Sequence, residues 1–259
     1  MIFKRAVAKL SAQDWAAITI ELAIVIVGVF IGTWVANWNE ERAEKREAAQ
    51  LIQRLRPQLE ALDRAEAAER TYYRITRGYA ATAFRGWSGN RDVSDRDFVV
   101  AAYQASQVNG LPIDSQTLLL ALGAEQIPKI EDERLREAVT EVVTYNFDSL
   151  HVVTLQSEYR RQLRALLPDS IQHAIRASCD DTQTPGSLTV TLPGECAVDL
   201  PPADVALAAA TLRAHRELAP LLTFHLAQTD VFLGILGRLE VRVRHLLTLM
   251  DARSTGAQQ

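Results

Sequence analysis

Glycine and proline are scarce in this chain, at 12 and 9 of 259 residues, and cysteine occurs only twice. With so few helix breakers and an abundance of Ala, Leu, Arg and Glu, the composition favours helix nearly everywhere. Histidine is also sparse. None of His151, His173, His215, His225 and His245 falls in an H-E-x-x-H motif, and His215 and His225 are too far apart to share a zinc ion. There is no G-x-S-x-G elbow, no phosphate-cradling P-loop and no G-x-G-x-x-G, so the usual marks of acyl transfer, nucleotide hydrolysis and dinucleotide binding are missing. Asp180, Asp181, Asp199 and Asp204 cluster in sequence without the D-x-D-x-D-G pattern of a calcium loop. A net charge of −4 makes no electrostatic case for nucleic acid. The sequence assigns no catalytic residue, cofactor-binding residue, cofactor or metal ligand.

What the chain does have is one long apolar run. Ala16 to Ala36 reads AAITIELAIVIVGVFIGTWVA, 21 residues with Glu21 as the one charge. About 20 apolar residues span the hydrocarbon core of a bilayer. Trp15 precedes the run and Trp34 and Trp38 close it, matching aromatic belts at the two membrane interfaces. β-Branched Ile and Val over this length fit lipid better than a soluble core. A cleaved export signal fits less well, because cleavage after Ala36 would place bulky Trp34 where a small residue is needed. The expectation is a retained transmembrane helix over 16–38 with the lipid bilayer as its partner. Within it Gly28, Gly32 and Ala36 form a small-residue stripe that suits close helix packing, with Glu21 on a similar face. Glu21 reads equally as an intramembrane functional carboxyl or as a group near enough to the interface to reach water.

Lys and Arg do not orient the span, since Lys4, Arg5 and Lys9 before it balance Arg42, Lys45 and Arg46 after it. The cysteines do. Cys179 and Cys196 bracket a loop rich in Pro, Gly and Thr. A disulfide closing it points to an oxidising compartment. That places a cytoplasmic tail at 1–15 and a helical periplasmic domain at 39–252, with a loop over 179–201 and a disordered tail at 253–259, in a bacterial inner membrane.

ELAIVIVGVFIGTWVANWNEERAEKRE, from Glu21 on, resembles the start of a family of bacterial single-pass membrane proteins known as a domain of unknown function. The hallmark is a Glu opening an apolar run, a central Gly, then Asn-x-Trp-Asn-Glu; Glu21, Gly28, Trp38, Asn39 and Glu40 fall in those places here, with Asn37 directly before Trp38 and no residue between them. A looser match covers Asp114 to Phe147. Together the two span roughly a quarter of the chain. The resemblance implies an anchor and a helical build, and brings no activity, cofactor or catalytic residues.

Beyond the membrane, Leu51, Leu55, Leu59 and Leu62 share one helical stripe, and Pro57 is expected to kink that helix. Ser94 followed by Asp97 reads as a helix start running to about Gln107. A short helix is expected from Asp114 or Ser115 to Leu122. A long one should run from Glu131 to Leu167, burying Leu135, Val139, Val142, Phe147, Leu150 and Val153. Ser170–Ser178 and Pro202–His215 read as helices, and SLTVTL as a short strand. The last helix, Pro220 to Asp251, repeats apolar residues four and three apart (Phe232, Leu236, Leu239, Val243, Leu246, Met250), as coiled-coil-like packing in a bundle does. Leu221–Gly237 reads as a buried bundle helix rather than a second span. The basic stretches YRRQLR (159–164) and RLEVRVRH (238–245) read as solvated faces. Tyr72, Tyr73, Tyr79, Phe84 and Trp87 read as core, with a pocket lining as the alternative.

The expected fold is all-α: a transmembrane helix continuing into a helical bundle with one disulfide-closed loop. The expected function is non-enzymatic, a membrane-anchored scaffold that binds another membrane or periplasmic protein and self-associates through Gly28 and Gly32. A ligand sensor signalling through a partner, and an enzyme with an unrecognised site, are the alternatives. The tail of about 15 residues ahead of the span leaves the sensor reading no output domain of its own.

Overall fold

A computed structural model of the protein describes residues 15–111, 124–147, 157–183 and 185–256. One helix, α1, runs from Trp15 to Trp87. Its 73 residues extend about 110 Å at the usual rise per residue. Residues 19–47 are all exposed, and the first buried side chain after them is Ala48. From there the leucine stripe turns inward, with Leu51, Leu55 and Leu59 fully buried. Each such side chain stabilises the bundle by about 2 kcal/mol. The helix continues unbroken through Pro57, the residue at which a kink is expected. Pro57 is on the exposed side of the helix, where water can solvate the carbonyl left without a donor.

Helix α2 (Asp95–Gln104) follows a tight turn. Ser94 caps it as expected: its Oγ accepts the Asp97 amide at 3.0 Å and donates to the Asp97 carboxylate at 2.7 Å. A 3-10 turn (Ala124–Lys129) leads to α3 (Glu133–Val143). The long helix expected over 131–167 is not formed. Helix α3 ends at Thr144, where Tyr145 and Phe147 turn inward, and the Tyr145 hydroxyl donates to the Ile235 carbonyl at 2.9 Å. A separate helix, α4 (Glu158–Leu166), starts on Ser157, whose hydroxyl accepts the Arg160 amide. The expected helix at 114–122, and Leu150, Val153 and His151, lie outside the described residues.

Helix α5 (Asp169–Cys179) leads into the disulfide-closed loop. Inside it β1 (Thr182–Gln183) and β2 (Val190–Thr191) pair antiparallel. Helix α6 (Pro202–Ala214) and the long α7 (Leu218–Gly256) complete the chain. The α7 stripe from Phe232 to Met250 is buried as expected. Helix α7 runs antiparallel to α1, and four ion pairs stitch the two: Arg56–Asp251, Asp63–Arg244, Arg70–Glu240 and Arg77–Asp230. Their α1 members recur every seven residues, so they flank one continuous seam. A second apolar cluster packs the far end of α1 against α2, α4, α5 and α6 around Trp87, Phe98 and Tyr159. The fold is thus all-α, with a long N-terminal apolar helix and one disulfide.

Candidate functional site

On α1 one line of buried residues follows alternate steps of three and four: Leu55, Leu59, Leu62, Glu66, Glu69, Tyr73, Thr76, Ala80, Ala83 and Trp87. Two consecutive seam positions therefore hold carboxylates. Glu66 is fully buried, and neither of its oxygens has a hydrogen-bond partner. The nearby cations are already engaged. Arg70 binds Glu240, and Arg244 bridges Asp63 at 2.7 Å and Glu240 at 2.8 Å. Burial, reinforced by the Glu240 and Asp63 charges, pushes the Glu66 carboxyl up to about 8. One oxygen of Glu69 accepts from the Asn109 side chain and the other is unpartnered. Burial pushes this carboxyl up to about 7. Asn109 also joins Tyr73, whose hydroxyl donates to the Asn109 carbonyl and accepts its amide at 3.1 Å.

One turn along, Tyr72 donates to Asp181 in the disulfide loop at 3.2 Å. Gln104, near the end of α2, donates to the Cys179 carbonyl at 2.7 Å. Arg160 donates to the Ser106 carbonyl at 2.6 Å and Arg164 to the Gln107 side chain at 2.9 Å, with the Arg164 guanidinium 4.7 Å from the Tyr103 ring centre. Burial lowers both guanidiniums from their usual range. The solvated reading of YRRQLR therefore fails for Tyr159, Arg160 and Arg164, and holds for Arg161, which pairs with Glu158 at the surface. Arg160 thus satisfies the Ser106 carbonyl just beyond the end of α2, and Arg164 holds the Gln107 side chain beside it. His225 on α7 lies 5.8 Å from the Tyr159 ring and hydrogen-bonds the Ala105 backbone, and burial pushes it down to about 4. It stays neutral.

Of the five aromatics expected as core or pocket, Tyr72, Tyr73 and Trp87 are core. Tyr79 lines an open cleft of about 690 Å³ with Thr82, Arg85, Asp92, Arg96 and Glu195. Among the described residues no three His, Cys, Asp or Glu side chains gather to hold a metal ion.

The apolar segment stands apart. Glu21, Gly28, Gly32 and Ala36 are all exposed, and a Cβ added at Gly28 or Gly32 would meet nothing within 4 Å. Trp15 opens the helix, and Trp34 lies 19 residues on, about 28 Å along the axis and close to the thickness of a hydrocarbon core. Trp38 carries the Arg42 guanidinium 3.8 Å over its ring. Cys179 and Cys196 are joined as expected. A candidate membrane helix near the N-terminus and a disulfide together fit a membrane protein. Helix α7 also has the length and composition of a span, but one face of it is buried in the bundle.

The apolar residues of both stripes are legible in sequence, whereas Glu66 and Glu69 escape a search for apolar periodicity. Their signal is the unbroken three-and-four spacing on either side of them. Comparison with family models, with curated proteins and with solved structures finds no match. The family resemblance of Glu21 to Glu47 thus rests on its motif residues alone.

Proposed function

We propose that the protein is a non-enzymatic, membrane-anchored module that holds a partner protein at a fixed height above the bilayer. In this reading the span lies in a bacterial inner membrane, the N-terminus is cytoplasmic and the helical domain is periplasmic. The observation that carries it is the continuity of α1, which is both the apolar span and the central helix of the bundle. Only Asn39–Glu47 separate the two, about 14 Å of charged helix. A domain carried on such a rod has a defined distance and orientation, which a flexible tether would not supply. The exposed Gly28–Gly32 face supports self-association within the membrane. A ligand-sensing reading has one observation in its favour, the cleft around Tyr79, Arg85 and Arg96.

The test is an insertion of six Gly/Ser residues after Glu47, with affinity purification of the full chain in mild detergent. Proteins recovered with the natural chain should be lost from the insertion variant, while its bundle unfolds at the same temperature. Equal recovery from both chains, or recovery of nothing from either, contradicts the proposal. Membrane crosslinking of a Gly28→Ile/Gly32→Ile variant reads whether a second copy is among the partners. A dimer band that persists undiminished removes the glycine face from the account.

A further inference from the structure

We infer that Glu66 and Glu69 form a proton-controlled latch in the α1–α7 seam: with both carboxyls protonated the seam closes, and their ionisation loosens it. The geometry is specific. Two adjacent seam positions of the anchor-bearing helix carry acids, three of their four oxygens lack partners, and Glu66 has no exposed surface. A buried carboxylate without a partner is costly, and in a closed seam it is relieved only by a proton or by water entry.

The groups facing the pair oppose its ionisation. From α7, Glu240 faces Glu66, and from α1 Asp63 does. Arg70 and Arg244 pull the other way, but both are bound to Glu240, and Arg244 also to Asp63. From the disulfide loop, Asp181 faces Glu69, and its own carboxyl is raised by burial and by Asp180. Tyr72, Tyr73 and the Asn109 amide also surround Glu69, and Arg160 of α4 lies beyond Tyr73.

The sign follows from proton counts. Glu66 and Glu69 titrate near 8 and 7 in the folded chain against an ordinary value of 4.5, so between those limits the folded state binds more protons. Their contribution to stability is full below pH 4.5 and is lost as pH rises through 7 and 8. His225 acts in the opposite direction but only below its ordinary 6.5, so the latch is read cleanly above that pH. Because α1 is also the apolar N-terminal helix, a loosened seam frees α7 from the rod while the rod itself persists.

The full chain in lipid nanodiscs tests this by thermal unfolding from pH 6.5 to 8.5. The natural chain should lose about 5–10 °C over that range, on the scale of a few degrees per kcal/mol for a domain of this size. Glu66→Gln/Glu69→Gln, which keeps shape and removes titration, should be nearly flat. A natural chain with no pH slope, or a double variant with the same slope, overturns the inference. Hydrogen exchange of the natural chain alone provides a second reading. Protection of the amides from Leu236 to Leu246 should fall at least about tenfold beyond the intrinsic pH effect. Unchanged protection there also overturns it.

Discussion

Gly86→Val should destabilise the bundle by about 3 kcal/mol, the upper end of ordinary overpacking. A Cβ at Gly86 would lie 2.0, 2.5 and 2.7 Å from three atoms of the Phe98 ring. That ring has nowhere to go. It is fully buried, meets Trp87 edge-to-face at 5.2 Å, and has the Arg213 guanidinium 5.2 Å from its centre on α6. Even Gly86→Ala should destabilise, although alanine is ordinarily better than glycine in a helix by about 1 kcal/mol. Gly78, on the same helix with nothing within 4 Å of its added Cβ, is the control. Gly78→Ala should stabilise by about 0.5–1 kcal/mol. Denaturant unfolding of the three variants followed by circular dichroism measures the contrast. A Gly86→Ala variant as stable as Gly78→Ala would mean that α1 and α2 do not approach as described.

Removing the disulfide, as Cys179→Ser/Cys196→Ser, should cost about 3 kcal/mol by the loop-entropy model. The two cysteines are 17 residues apart in sequence, and the loop they close is fastened to α2 at both ends. Gln104 holds the Cys179 carbonyl, while Arg96 donates to the Val198 carbonyl at 2.9 Å and the Cys196 carbonyl at 3.3 Å. Without the bond, the unfolded chain regains freedom, while the folded loop keeps those hydrogen bonds, the Tyr72–Asp181 and Tyr79–Pro193 links, its β1–β2 pairing and the burial of Leu192. The same two residues report the compartment. If the domain is periplasmic, maleimide added before lysis should find no free thiol in the natural chain, and two after reduction. A full-strength label without reduction would count against both the bond's role and the proposed topology.

Much of the fold is legible in the sequence for one reason: local period and burial agree. Leu51–Leu62 and Phe232–Met250 each present one apolar face, and each buries that face. Ser94 and Asp97 are close in sequence, so their cap is legible too. The misses depend on groups that meet only in three dimensions. Arg160 and Arg164 are drawn inward by Ser106 and Gln107, more than fifty residues away in the chain. The stop at Thr144 depends on Tyr145 reaching the Ile235 carbonyl. Glu66 and Glu69 sit in a stripe whose neighbours are apolar, where burial overrides the ordinary preference of a carboxylate for water.

A fixed height above the bilayer requires α1 to be one rigid helix from the apolar segment into the bundle. Ala36 and Gln58 are both exposed and lie 22 residues apart, close to six full turns and therefore on one face. Spin labels on Ala36→Cys and Gln58→Cys, with the natural disulfide intact, measure that span directly in nanodiscs. The continuous helix predicts a single narrow distance of about 33 Å. A broad distribution, or a principal distance below about 25 Å where the unbroken rise requires 33 Å, would place a hinge between the apolar segment and the bundle and contradict the account.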